Sequence, residues 1–104
     1  MPFVIETWDG PNKSALRDEV RPRHVVYLDE QKGKLLGAGA KLSDDGESML
    51  GSIYIVDTEQ RAEAERFLSG DPFMVAGLFE KSSITRWRKA FFDFENLVPH
   101  LMPK

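Results

Sequence analysis

Residues 49–56 have the sequence MLGSIYIV, which is rich in β-branched and aromatic side chains and predicts a β-strand. A strand whose sheet has one face in water alternates apolar and polar residues. This segment does not alternate, because Ile53, Tyr54 and Ile55 follow one another. Both faces of the sheet therefore need a cover, since an open apolar face would form a patch of the kind that marks an interaction site.

The segments on either side of this strand complete a β-α-β-β-α-β order. Strands are predicted at 3–8, at 35–40 and from 78 to about 92, and helices at 14–20, 22–32 and 59–68, with a single helical turn at 72–76. Pro22 separates the first two helical segments, because the residue before a proline is biased away from helical backbone. The order predicts an α+β, ferredoxin-like sandwich with an antiparallel sheet. Its helices cover one face, and a second copy of the chain is the simplest cover for the other, so we expect a homodimer or a larger assembly.

Composition limits the classes of function. The chain has 104 residues, a net charge of −3 with acidic and basic residues interleaved, and no cysteine. This charge argues against a nucleic-acid or anionic-membrane partner, and no apolar run reaches the roughly 18 to 20 residues of a membrane span. The absence of cysteine excludes disulfides, thiolate zinc sites and thiol nucleophiles. We expect a single-domain cytoplasmic protein.

The two histidines are the side chains best suited to acid–base chemistry near neutral pH. His100 lies in a proline-flanked tail, so His24, in the motif Arg-Pro-Arg-His at 21–24, is the candidate for the reacting group. Its predicted position in the first turn of a helix would place it near the positive end of the helix dipole. The alternative is structural, namely a histidine that packs beside Leu28 and bonds to backbone.

Asp71 begins a second short motif, Asp-Pro-Phe at 71–73, and a carboxylate is a common partner that fixes the tautomer of a histidine. An aspartate before a proline is also an efficient helix N-cap. One carboxylate can serve both roles through different lone pairs. The spacing in the sequence does not show whether Asp71 and His24 meet.

Four short motifs occur in order along the chain. They are R-P-x-H at 21–24, G-S-x-x-I-V at 51–56, D-P-F-x-x-A-G-L-F-E at 71–80 and W-R at 87–88. Together they resemble the YciI-like (YCII-related) family of the dimeric α+β barrel group, from about Phe3 to about Phe91. The resemblance implies a ferredoxin-like fold, a dimer, and an active-site pair formed by His24 and Asp71. Members with assigned chemistry act on small cyclic or aromatic molecules, so a small-molecule ligand is implied here.

Four further residues are candidate substrate contacts. Arg21 and Phe73 lie in the two motifs that carry the pair. Gly77 could allow close approach of a ligand, and Arg86 could bind a carboxylate. The alternatives are a turn for Gly77 and a solvent-exposed strand edge for Arg86. There is no spaced second histidine, phosphate loop or nucleophile elbow, so we expect neither a metal nor a cofactor.

Two functions follow from these residues. The first is a cofactor-independent enzyme in which His24 and Asp71 catalyse an isomerisation, elimination or hydrolysis. The second is a dimeric module that binds a small ligand without turnover. An enzyme should keep the outer nitrogen of His24 free in a cleft, whereas a binding module could engage it. Residues 1–92 form the predicted domain, and the apolar tail 93–104 is expected to pack on the domain or on a dimer partner.

Overall fold

The computed structural model describes residues 1–104, which form a four-stranded sheet, three helices and a small C-terminal hairpin. The elements in chain order are β1 (Phe3–Asp9), α1 (Ser14–Gln31), β2 (Leu35–Leu42), β3 (Met49–Val56), α2 (Arg61–Gly70), α3 (Pro72–Val75), β4 (Phe79–Arg86), β5 (Phe91–Phe92) and β6 (Glu95–Asn96). Short 3₁₀ turns lie at Lys32–Lys34 and Pro99–Leu101. None of the helices combines the length and the apolar character that crossing a membrane requires.

The sheet has the strand order β2-β3-β1-β4, with antiparallel neighbours throughout. β1 is central, and its Ile5 lies opposite Tyr54 of β3 on one side and Ile84 of β4 on the other. α1 connects β1 to β2, and α2 with α3 connects β3 to β4. This arrangement is the ferredoxin-like α+β fold, and it confirms the fold class predicted from the sequence.

The core lies between one face of the sheet and the helices. Seven buried residues of β1, β3 and α2 form it: Phe3, Ile5, Tyr54, Val56, Ala64, Phe67 and Leu68. Burial of each large apolar side chain contributes about 1.5–3 kcal/mol to folding. A smaller cluster of Val20, Phe73 and Leu78 joins α1 to α3 and to the segment before β4. This second cluster fixes α3, the short helix that begins next to Asp71.

The other face of the sheet has no cover in the single chain. Alternation along β1 and β3 directs Trp8, Ile53 and Ile55 to this face, where Ile53 is 40% exposed. The ring of Trp8 lies between two ammonium groups, with its centroid 3.9 Å from Nζ of Lys41 and 4.5 Å from Nζ of Lys81. The sheet thus carries apolar side chains on both faces, as the sequence predicted, whereas a cover by a second copy stays a prediction.

α1 is one continuous helix, so the predicted break at Pro22 is wrong. Pro22 lies inside the helix Ser14–Gln31. A proline in a helix interior removes one hydrogen bond and costs about 3 kcal/mol or more. Val20 and His24, on either side of it, are buried against Phe73, and this packing offsets the cost. His24 therefore lies in the middle of the helix, and the expected influence of a helix N-terminus does not apply to it.

The last strand is shorter than predicted, and the tail forms a separate hairpin. β4 ends at Arg86, and β5 pairs with β6 across a turn at Asp93 and Phe94, whose φ angles are 52° and 65°. Hairpin turns with two positive φ angles favour Asn-Gly, Asp-Gly or Gly-Gly. Asp93 fits the first position, but Phe94 stands where glycine is expected, so the sequence did not mark this turn. The hairpin crosses the predicted boundary between 92 and 93. Leu101 and Met102 are exposed on the single chain, and packing of the tail on a partner stays a prediction.

Candidate active site

α1 carries three buried side chains on one face: Arg17, Val20 and His24. Their spacing of three and four residues places them on a single stripe of the helix. A charged or titratable group that leaves water needs a partner, because an unpaired buried charge is costly. The partners of Arg17 and His24 come from β1, from β3 and from the junction between α2 and α3.

Asp71 stands at that junction and is fully buried. Its Oδ1 accepts the backbone N–H of Phe73 at 2.9 Å, which caps α3, and lies 2.8 Å from Nδ1 of His24. Its Oδ2 accepts the hydroxyl of Tyr54 at 2.6 Å. An ionised carboxylate only accepts hydrogen bonds, and three donors around Asp71 fit that form. The N-cap and the histidine contact therefore coexist in one side chain, which the sequence analysis allowed.

This arrangement sets the role of each nitrogen of His24. A carboxylate at Nδ1 requires a proton on that nitrogen, so the neutral ring carries its lone pair on Nε2. Nε2 makes no hydrogen bond to the protein and is not sealed from solvent, and His24 lines a cavity. A lone pair that faces an open cavity can accept a proton from a bound molecule.

Two aromatic rings hold the imidazole in place. Phe73 stacks on it with ring centroids 3.9 Å apart and an angle of 17° between the planes, and Tyr54 meets it edge-on at 6.2 Å. Because Phe73 is completely buried, the imidazole has little freedom to turn away from Asp71. Burial, and next the charge of Asp71, raise the pKa of Tyr54 well above its usual value. The Tyr54 hydroxyl therefore stays protonated and donates to Asp71 instead of acting as a base.

A cavity of about 170 Å³ opens beside His24. An apolar cavity of about 150 Å³ can hold benzene, so this one accommodates a single six-membered ring. Its lining comes from α1, β2, β3 and α3: Arg17, Arg21, His24, Val25, Gly39, Ala40, Met49, Ser52, Tyr54 and Phe73. A larger, polar cleft of about 490 Å³ adjoins it and shares Arg17, Arg21 and Met49 with it.

Two arginines line the cavity, and each pairs with an aspartate. Arg17 is only 4% exposed and forms a two-point ion pair with Asp9 at 2.7 and 3.2 Å. The same guanidinium donates to the carbonyl of Gly51 at 2.9 Å. Arg21, whose side chain is 39% exposed, pairs with Asp18 at 2.9 Å. Arg17 is thus fixed by buried partners, whereas Arg21 can move toward a ligand.

Four of the six residues proposed from the sequence meet here, namely His24, Asp71, Phe73 and Arg21. Sequence reasoning missed Arg17, Met49 and the hydroxyl of Tyr54. A continuous α1 would have placed Arg17 and His24 on one face, so the false break at residue 22 concealed that signal. Met49 and Tyr54 carried no signal of their own, because both fit an apolar strand.

The other two proposed residues lie elsewhere in the single chain. Gly77 occupies the turn after α3 with a φ of 77°, and its carbonyl accepts from Nζ of Lys13 at 2.9 Å. Arg86 ends β4 and lies 3.7 Å from the carboxylate of Glu59. Neither Gly77 nor Arg86 lines the cavity beside His24. The structure therefore does not bring them together with the other four.

Comparisons with known proteins identify the family. A family model for the YCII-related domain matches residues 1–88, so the chain belongs to the YCII-related family, and the resemblance seen in the sequence is confirmed. The protein YciI of Escherichia coli O6:H1 and that of Shigella flexneri are each 30% identical to this chain over 98 residues, which cover 88% of it and 100% of theirs.

A solved structure is similar as well. It is 5-chloro-2-hydroxyhydroquinone dehydrochlorinase (TftG) from Burkholderia phenoliruptrix AC1100, in complex with 2,5-dihydroxybenzoquinone. The two chains are 33% identical and superpose with a TM-score of 0.78, and the match covers 85% of this chain and 94% of that one. The neighbour is thus an enzyme of small aromatic-derived molecules that shares this fold.

Proposed function

We propose that this protein is a cofactor-independent enzyme in which His24 acts as general base on a small hydroxylated ring. One arrangement carries the proposal: Nδ1 of His24 bonds the buried Asp71 at 2.8 Å, while Nε2 is left free at a cavity sized for one ring. A module that binds without turnover has no need of a free basic lone pair.

The pair can move a proton in both directions. When Nε2 takes a proton, the ring becomes an imidazolium whose Nδ1–H still points at Asp71. The carboxylate stabilises that positive charge without taking the proton, and it is held in place by the hydrogen bonds that it accepts from Tyr54 and from the backbone N–H of Phe73. The imidazolium can then return the proton to another atom of the substrate. An isomerisation needs this sequence of base and acid, whereas an elimination needs only the base step, after which the imidazolium releases its proton to water.

The dehydrochlorinase neighbour supports an elimination on a hydroxylated ring. In the keto form of such a ring, the leaving group sits on a saturated carbon. Nε2 removes a proton from a hydroxyl group on the far carbon of a ring C=C bond whose near carbon is attached to that saturated carbon. The electron pair of the O–H bond forms a C=O bond, the pair of the ring C=C bond shifts to form a new C=C bond to the saturated carbon, and the leaving group departs with the electrons of its own bond. The net change is the loss of HX to give a quinone-like ring, so atoms and electrons balance without an oxidant.

Chloride release from 5-chloro-2-hydroxyhydroquinone tests this proposal. We expect the protein to release chloride faster than buffer does, measured with a chloride electrode and by quinone absorbance. His24→Ala should return the rate to background while the far-UV circular dichroism is kept. His100→Ala is the matched control, because it removes the other histidine, which lies in the exposed tail. Full activity of His24→Ala, equal losses in both variants, or no release by the unchanged protein would reject the proposal.

We also infer that the protein works as a homodimer. The open sheet face carries Ile53, Ile55 and Trp8, and no helix or strand of the single chain packs on it. A second copy can cover such a face through a self-complementary interface. The exposed apolar side chains of the tail, such as Phe94 and Leu101, offer a further surface that the same pairing can bury.

A further inference from the structure

Met49 lies between the two arginines where the cavity joins the cleft. Its Sδ is 3.2 Å from Nη2 of Arg21 and 3.8 Å from Nη1 of Arg17. Met49 is the first residue of β3, is 42% exposed, and lines both the cavity and the cleft. The sulfur therefore occupies the point at which the two guanidinium groups converge.

A thioether is a poor partner for two arginines. Sulfur is a weak acceptor, whereas guanidinium N–H groups bind negatively charged oxygens strongly. The other donors of Arg17 have strong acceptors in Asp9 and β3, but its Nη1 has only the sulfur. Arg21 uses Nη2 alone within the chain, on the sulfur and on the exposed carboxylate of Asp18. Both arginines thus have N–H groups beside the sulfur that can donate to a stronger acceptor in the ring-sized cavity.

We propose that the sulfur of Met49 occupies the position at which a substrate oxyanion binds, and that it is displaced when a ring with an ionised hydroxyl group enters the cavity. The methionine side chain has three rotatable bonds and no strong partner, so it turns into the cleft at low cost. The oxyanion then accepts from Arg17 and Arg21, and the rest of the ring occupies the cavity toward Nε2 of His24. This inference rests on the proposed function and adds the charge of the substrate, since an anionic single ring binds in preference to a neutral one.

Calorimetry with two rings tests the inference without turnover. The first is 2,5-dihydroxybenzoquinone, an anion near neutral pH because its hydroxyls are vinylogous acids, and the second is neutral hydroquinone, kept under argon. We expect the unchanged protein to bind the anion at least about tenfold more tightly, which is about 1.4 kcal/mol. Arg21→Gln should remove most of this preference.

One variant serves as a control, and a second tests the role of the sulfur. Arg23→Gln removes the same charge from an exposed position of α1 that does not line the cavity, so it should keep the preference for the anion. Met49→Leu keeps the size of the side chain and removes the competing sulfur. It should bind the anion as tightly as the unchanged protein or more tightly.

The outcomes separate the two proposals. The oxyanion site is overturned if Arg21→Gln keeps the full preference for the anionic ring. It is also overturned if Arg21→Gln and Arg23→Gln lose this preference equally. Equal binding of both rings by the unchanged protein also overturns it but leaves the role of His24 standing, because a ring still binds. Binding of neither ring overturns both proposals. If Met49→Leu weakens anion binding as much as Arg21→Gln does, the sulfur contacts the ring itself, and its place-holding role is overturned.

Discussion

Replacement of Asp71 by alanine removes an acceptor that three donors share in the interior. The donors are Nδ1–H of His24, the backbone N–H of Phe73 and the hydroxyl of Tyr54. Each buried donor left without a partner costs about 1–3 kcal/mol. The lost cap of α3 is included in this sum, at about 1 kcal/mol. Because the cavity can supply water to His24, we expect the free energy of unfolding to fall by about 3–5 kcal/mol.

Asparagine at position 71 separates the contribution of the hydrogen bonds from that of the negative charge. Asp71→Asn keeps one oxygen for Phe73 and His24 and turns its amide toward Tyr54, whose hydroxyl oxygen can accept. We expect a loss of about 1–2 kcal/mol in stability, and a much larger loss in turnover, because the negative charge opposite the imidazolium is gone. Tyr54→Phe is the matched control. It removes one donor but leaves the charge, so it should cost a similar stability and keep most of the activity.

Urea unfolding followed by far-UV circular dichroism measures the stability, and chloride release measures the activity. Domains of this size have a free energy of unfolding of about 5–15 kcal/mol, so the asparagine variant should fold even where the alanine variant is marginal. The reasoning is refuted if Asp71→Ala loses less than about 1 kcal/mol, which is the contribution of a cap alone. It is refuted as well if Asp71→Asn and Tyr54→Phe lose the same share of activity.

Three further predictions concern the sheet. Gly51→Ala places a Cβ 1.9 Å from the carbonyl oxygen of Thr7, so it should lower the free energy of unfolding in urea by about 1–3 kcal/mol or more. Gly33→Ala is the control and should lower it far less, because a Cβ at residue 33 meets nothing within 4 Å. Burial raises the pKa of Tyr54 in the folded protein, whereas in the unfolded chain it is about 10. The contribution of Tyr54 to the free energy of unfolding is therefore complete below about pH 10, and it falls by about 1.4 kcal/mol per pH unit above that. Tyr54→Phe should flatten this alkaline loss, and equal slopes in both proteins would contradict the assignment. Light scattering should give about twice the chain mass of 11.8 kDa, and Ile53→Glu should give the monomer; an unchanged protein that is already monomeric would exclude the dimer.

The strand pattern was sufficient to predict the sheet, because side-chain character along a strand is a local property. β3 has the predicted bounds, 49–56, and the unusual apolar run at Ile53–Ile55 does correspond to a sheet with two apolar faces. The predicted break at Pro22 is wrong because the conformation there is not decided locally. A proline penalty is local, whereas the contacts of Val20 and His24 with Phe73 are tertiary, and the tertiary contacts outweigh the penalty.

The site was predictable only in part. His24 and Asp71 lie 47 residues apart in the sequence, so their contact followed from the family resemblance and from no local pattern. The hydroxyl of Tyr54 bonds Asp71 because of the way β3 lies beneath the junction of α2 and α3, and strand periodicity does not contain that information. Arg17 was predictable in principle, once α1 is taken as a single helix.

Asp71 caps α3 as well as holding His24, so selection for folding alone would retain it. A descendant of this chain that had lost activity would be freer to change His24 than Asp71, because no helix end depends on the imidazole and only its packing on Phe73 favours a ring at that position. In such a descendant the aspartate would be retained for its role in folding, so its presence would say nothing about catalysis. When activity is inferred from one relative to the next, the histidine is therefore the informative position of the pair.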